Sequence, residues 1–341
     1  MKFSVIVCAF SRGNAFLKRL SIAAGLGLSL VASASAQIDI EHSQQNTQPA
    51  DSRPANIPAE YVVTPFGYFS PSCIREIHEG EKILDNEEIL RIDGTIEPPN
   101  VCAQDNFTRQ GERVSPQGLD EQGRLVRAST LKAVPPPTIS YSYIEDGEYQ
   151  TDKPVGRISA SWTVPENPTL RSKQTIYFFP GVQGDTIMQP VLGYRGESDS
   201  WDLSSWNCCK NGTVNHSDFI PAKSGDKIVG DIYSTCAPGL ACNRWNIDTH
   251  NLTTGKSVRL TSSPHGNPNL IMGGALEVYE VSACAEYPAT GSLVFHDIEV
   301  YDQNSVRVAS PPWEADSDAP AASPQCNYST KVTPTSITIT Y

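Results

Sequence analysis

The sequence predicts an all-β sandwich from about residue 138 onward, with two sheets sharing one core. Three observations carry this. Apolar and polar side chains alternate with period two over short runs, turn residues separate those runs, and no long stretch shows the 3.6-residue period of a helix. Ile158, Ala160, Trp162 and Val164 alternate with Arg157, Ser159, Ser161 and Thr163. Val294, His296, Ile298 and Val300 alternate in the same way with Leu293, Phe295, Asp297 and Glu299. Thr253-Thr254-Gly255-Lys256 separates 245–249 from 257–261, a hairpin with glycine at its turn. Two further strands, 178–190 and 273–280, are flanked by glycines and set polar side chains among apolar neighbours. A Pro/Ser/Ala-rich linker over 310–324 precedes a last strand at 336–341.

Residues 1–36 read as a secretory signal peptide. Lys2, Arg12, Lys18 and Arg19 precede the apolar run 20–31, and Ala34-Ser35-Ala36 supplies the small-residue cleavage site. That run is too short to span a bilayer, and no later stretch reaches transmembrane length. The mature chain is therefore expected to be exported: extracellular, or periplasmic in a Gram-negative host. Its formal charge of −12 becomes −12 − 4 = −16 once the leader, with four basic and no acidic residues, is removed. Such a balance argues against nucleic acid and anionic membrane surfaces as partners, and neither is expected. A monomer is expected.

The polar stretch 37–60 has little to bury and is expected to be disordered. Weak strand patterns follow over 61–135, and Pro135-Pro136-Pro137 reads as a joint. Residues 37–137 are thus either a propeptide or an extension that stays attached, and 138–341 form the sandwich. Apart from Cys8 in the leader, eight cysteines remain, which in an exported chain reads as disulfides. Cys73 with Cys102 and Cys236 with Cys242 are the local pairings, while the rest stay open. The vicinal Cys208-Cys209 are expected to bond outward to separate partners, with the Cys236/Cys242 loop and Cys284 as candidates, because a ring between adjacent cysteines strains their peptide.

Several hydrolytic signatures are missing from the sequence, among them G-x-S-x-G, H-E-x-x-H and the paired Asp-Thr/Ser-Gly motif. The six histidines are scattered, and no Cys/His cluster has zinc-ligand spacing. Neither a metal nor another cofactor is expected. What remains is the pair of strands carrying Gln189 and Glu277, since a buried amide or carboxylate costs several kcal/mol (roughly 2–7) unless satisfied or used. A carboxylate can take a proton from water and return it to a leaving nitrogen, and an amide can donate N–H to an oxyanion. Periodicity alone does not choose between Glu277 and Glu280, because both strand faces are apolar.

Five segments carry a resemblance. Ser159-Ala160-Ser161-Trp162-Thr163-Val164-Pro165, Gly181-Val182-Gln183-Gly184-Asp185-Thr186 with Ile187-Met188-Gln189, Ser224-Gly225-Asp226-Lys227-Ile228, Asn251-Leu252-Thr253-Thr254-Gly255-Lys256-Ser257 and Ala275-Leu276-Glu277-Val278-Tyr279-Glu280 occur in order over about 155–302. Together they resemble the glutamic peptidases (eqolisins, G1-type). The resemblance implies two bent antiparallel sheets of jelly-roll or concanavalin-like form, polypeptide substrates, acid pH and no metal. It also implies that Gln189 and Glu277 are the catalytic pair. Trp162, Gln183, Asp185, Tyr194 and Trp206 are then candidate substrate-binding residues, although an aromatic in such a strand is more often core than subsite. Two departures imply a different cleft wall: Gln183 stands where the family has aspartate, and Ser204-Ser205-Trp206-Asn207-Cys208-Cys209 replaces an aromatic segment. The alternative reading is a non-catalytic or carbohydrate-directed β-sandwich. A glycosidase would need two carboxylates where the favoured positions here hold one.

Overall fold

The computed structural model describes residues 53–118, 143–317 and 322–341. The expected leader and the proline run at 135–137 lie outside the described residues. Among the described residues, eight short strands come first: β1 (Val62–Thr64), β2 (Gly67–Phe69), β3 (Ile74–Ile77), β4 (Lys82–Ile83), β5 (Ile89–Leu90), β6 (Ile96–Glu97), β7 (Asn106–Phe107) and β8 (Arg113–Val114). Longer strands follow: β9 (Tyr143–Gln150), β10 (Val155–Thr163), β11 (Thr175–Gln183), β12 (Ile187–Arg195), β13 (Ser200–Lys210), β14 (Thr213–Ser217), β15 (Ile220–Ala222) and β16 (Lys227–Ser234). Then come β17 (Trp245–Asn251), β18 (Lys256–Ser262), β19 (Leu270–Tyr279), β20 (Ser292–Asp302), β21 (Glu314–Ser317), β22 (Ser329–Thr333) and β23 (Ser336–Thr340). The only helical turns among the described residues are two 3₁₀ turns, Pro71–Cys73 and Cys284–Glu286. The fold is all-β.

Two large sheets make a sandwich. One has seven strands in the order β18-β17-β16-β10-β20-β23-β22. The other has nine, ordered β21-β9-β19-β11-β12-β13-β14-β3, with β15 paired to β13. Among the described residues every ladder is antiparallel except β14 with β3, which is parallel. Trp162 and Phe295 from the seven-stranded sheet meet with ring centroids 5.4 Å apart, and Phe178, Leu192 and Leu276 from the other sheet join the same core.

Every residue of β11 is buried, as are all of β12 but its last. The nine-stranded sheet is covered on both faces, which is why these strands read as continuous apolar runs rather than alternating ones. Its inner face meets the other sheet. A second cluster forms on its outer face, where Tyr177, Phe179, Val191, Trp206 and Tyr279 pack with Ile57, Tyr68 and Phe69 of the N-terminal region. Ile57, from the stretch expected to be disordered, is 6% exposed.

Other expectations need correction. In β20 the inward residues are Leu293 and Phe295, then Ile298 and Val300, while Val294 is 42% exposed. The pairing of β10 with β20 runs Ser159 to Glu299 and Ser161 to His296, so β20 carries one extra residue. Asp297 takes it up at φ 52°, a β-bulge that switches the inward parity. Within the expected linker, β21 pairs with β9 as an edge strand. Cys73–Cys102 and Cys236–Cys242 are bridged as expected. Cys208 is bridged to Cys209 rather than outward, which leaves Cys284 to pair with Cys326.

Candidate functional site

Strand parity sets out the site. In β19, Leu276 and Val278 face the inter-sheet core, so Glu277 shares the outer face with Ala275 and Tyr279. All three outer-face side chains have no solvent exposure. The Tyr279 hydroxyl donates to Oε1 of Glu277. Across the ladder Glu277 stands opposite Tyr177 of β11. The Tyr177 hydroxyl donates to the Val63 carbonyl at 3.2 Å and accepts from Arg195 Nη1 at 2.6 Å. The Arg195 guanidinium lies 4.9 Å over the Tyr177 ring, with its Nε 3.5 Å from Asp202 Oδ2. Gly193 makes this approach feasible, because a Cβ there would sit 2.8 Å from Asp202 Oδ1.

The electrostatics follow from burial. Tyr177 is pushed up to about 12, chiefly by burial, so its phenol stays protonated at any acid or neutral pH. Burial also raises the Asp202 carboxyl, against the pull of Arg195. For Arg195 burial is the largest influence and pulls down, but Tyr177 and Asp202 outweigh it and the guanidinium is held above its usual range.

Gln189 lies on the same outer face, one strand beyond β11. It pairs with Trp206 of β13, and continuing the printed register sets it beside Gly181 of β11, which in turn pairs with Met272 of β19. A Cβ on Gly181 would sit 2.8 Å from Met272 Cε and 3.5 Å from Gln189 Cγ, so the glycine leaves room for both side chains. Gln189 has no solvent exposure, and neither atom of its amide has a hydrogen-bond partner among the described residues. Such a group costs about 1–3 kcal/mol of stability. Gln189 and Glu277 therefore share a sheet face with β11 between them, but not a register row. Tyr177 and Gly181, which mark their rows, are four residues apart, on the order of 13 Å along an extended strand.

The candidate substrate-binding residues divide. Trp206 lies on the outer face, its ring 4.7 Å from His216 and 5.9 Å from Phe219. Gln183, 8% exposed, shares that face at the end of β11, and Asp185 is exposed in the turn beyond it. Trp162 and Tyr194 do not belong with them. Trp162 comes from the seven-stranded sheet and fills the core. Tyr194 is an odd number of residues from Gln189 and so points inward, packing on Trp201 at 5.0 Å. Sequence reasoning missed Tyr177, Arg195, Asp202 and Tyr279. Arg195 was accessible, being six residues from Gln189 and hence on its face, but its partners depend on pairing register.

Elsewhere, Glu76, His78 and Asp218 bring three candidate ligand atoms within 4.8 Å of one another. They are largely solvent-exposed, and His78 Nδ1 already pairs with Asp218 Oδ1 at 2.7 Å.

No protein-family model matches the chain, and no curated protein matches it. Among solved structures, scytalido-glutamic peptidase with a peptide-based transition-state analogue superposes with TM-score 0.44 at 17% identity, over 58% of this chain and 98% of that one. SCP-B, a member of the eqolisin family of peptidases in a complex with the tripeptide Ala-Ile-His, gives 0.43 at 18% identity over the same shares. The enzymatically active domain of tailspike protein 2 from bacteriophage CBA120 gives 0.28 at 10% identity, over 50% and 30%. At these scores the likenesses concern the course of the backbone alone. They place no residue and no activity.

Proposed function

We propose that the chain is a secreted acid endopeptidase of glutamic type. Glu277 takes the proton of an attacking water and returns it to the leaving nitrogen. Gln189 donates N–H to the oxyanion, a step that requires substrate to draw its row, on the order of 13 Å along the sheet, toward that of Glu277. The observation that carries this reading is the Gln189 amide, fully buried and without a partner among the described residues, on the same sheet face as the buried Glu277. A fold keeps such a group when it is used, because an apolar side chain would be more stable there. The five segments in register support the reading, and the four disulfides fit export to an oxidising compartment.

One observation favours the second reading, a non-catalytic or carbohydrate-binding sandwich. Met272, not Glu277, stands on the Gln189 row across β11. Hydrolysis of an unfolded protein at acid pH, with chelator present, separates the two. The peptidase reading requires cleavage that Glu277→Gln and Gln189→Ala each remove with the fold intact. Binding without turnover in every variant supports the second reading.

A further inference from the structure

We infer that the outer face of the nine-stranded sheet is a docking surface for extended polypeptide bearing aromatic side chains, and that its resident occupant is the chain's own β1–β2 hairpin. This rests on the reading of that face as a substrate surface, and adds to it what is bound and what regulates access.

The hairpin lies on the face rather than joining the sheet. Its strands pair with each other, and among the described residues β2 pairs onward with β7 alone, at Tyr68 and Phe107. Three kinds of contact hold it over the site. The Val63 carbonyl accepts from the Tyr177 hydroxyl, a bond to backbone that any peptide can make. Aromatic rings supply the second kind. Tyr68 meets Tyr279 edge-on at 5.3 Å, and Phe66 meets Trp206 at 6.2 Å, beside the Gln189 row. The third is polar: the Tyr68 hydroxyl lies 3.5 Å from Glu280 Oε1, which Arg53 approaches at 3.8 Å. Tyr68 and Phe69 are 1% exposed, whereas Val62, on the far side, is 41% exposed.

The contrast with β3 is informative. β3 extends the sheet edge beside β14, and Arg75 Nε donates to Asn215 Oδ1 at 3.0 Å. Glu87 pairs with His265 at 2.7 Å in the same region. One part of the N-terminal region is thus built into the sheet, while the hairpin packs on its outer face through contacts that include the Val63 carbonyl and the rings of Phe66 and Tyr68. A segment held in this way competes with free polypeptide of the same chemistry, and apparent affinity falls by the fraction of molecules left open.

The test uses the full chain with disulfides intact, in the Glu277→Gln background so that the probe is not consumed. The probe is a fluorescent peptide with the sequence of residues 61–69. The paired substitution Phe66→Ala with Tyr68→Ala is expected to tighten probe binding about tenfold relative to the unaltered hairpin. A probe with its aromatics replaced by alanine is expected not to bind. Equal binding with either hairpin, or binding of the alanine probe, overturns the inference. Should the double variant fail to fold, amide exchange in the unaltered chain decides. Excess probe must accelerate exchange over 62–69 and leave β16 unchanged, and no acceleration overturns the inference. The Glu277 form then separates the two readings. Probe binding without turnover leaves the docking surface standing and removes the peptidase.

Discussion

Gln189 and the pair Glu277 and Glu280 stood out in the sequence because each interrupts an apolar strand with a group that burial penalises, but only the resemblance singled out Glu277. The relative placement of Gln189 and Glu277 was not legible, since it depends on the ladder register of three strands and on the shift between Phe179 and Gly181. Tyr194 was readable and misread. Five residues separate it from Gln189, an odd number, and one regular strand cannot put both on one face. Two outcomes follow at this scale. Gln189→Met keeps the volume and removes a desolvated amide without a partner, so it is expected to raise unfolding free energy by roughly 1–3 kcal/mol while abolishing hydrolysis. Denaturant titration read beside the peptide assay checks both halves. Trp162→Ala is expected to cost about 3–5 kcal/mol by opening a cavity in the inter-sheet core. If it instead raised KM at unchanged stability, Trp162 would be a subsite after all.

At the scale of elements, the period-two strand β10 and the β17–β18 hairpin with its turn at Gly255 were readable from alternation and turn chemistry. The N-terminal strands were legible only as weak patterns, β1 and β4 among them, because several have only two residues, and β3 was not legible because its partner β14 lies far along the chain. The bulge in β20 escaped for a related reason: the extra residue is visible only against the partner strand. The hairpin also has a defined response to pH. Burial raises the Glu280 carboxyl, while Arg53, Lys173 and the Tyr68 hydroxyl pull it down and Glu197 adds to the rise. A raised carboxyl contributes stability that is full below its unfolded pKa and is lost as pH rises through the folded one. The hairpin therefore holds at least as tightly in acid as at neutral pH. Amide exchange over 62–69, corrected for intrinsic rates, is expected to be no faster at pH 4 than at pH 7. Faster exchange in acid would mean that another group releases it. Gly67→Val isolates the hairpin from the sandwich. Gly67 has φ 118°, and a Cβ there would lie 2.3 Å from the Phe107 carbonyl oxygen. Loss of protection confined to the hairpin, with an energy on the order of 1–3 kcal/mol, is the expected result.

For the whole molecule, the sandwich and its disulfide-bearing, acidic character followed from composition and spacing, but the cysteine map followed only in part. Cys73–Cys102 and Cys236–Cys242 are close in sequence, whereas Cys284–Cys326 requires the fold to bring the second 3₁₀ turn beside the segment before β22. Their separations of 6 and 42 residues order their contributions. In the chain-entropy account, breaking Cys284–Cys326 costs about 4 kcal/mol and breaking Cys236–Cys242 about 2. Thermal unfolding of the two double-serine variants tests that order. The central claim is that the outer face around Glu277 and Gln189 hydrolyses polypeptide, and the most direct measurement is kcat/KM for an aromatic-bearing peptide at acid pH in Glu277→Gln and Glu280→Gln chains. The account predicts at least about a hundredfold loss in the first, with its unfolding midpoint preserved, and near-full activity in the second. Full activity in Glu277→Gln, or loss only in Glu280→Gln, would contradict it.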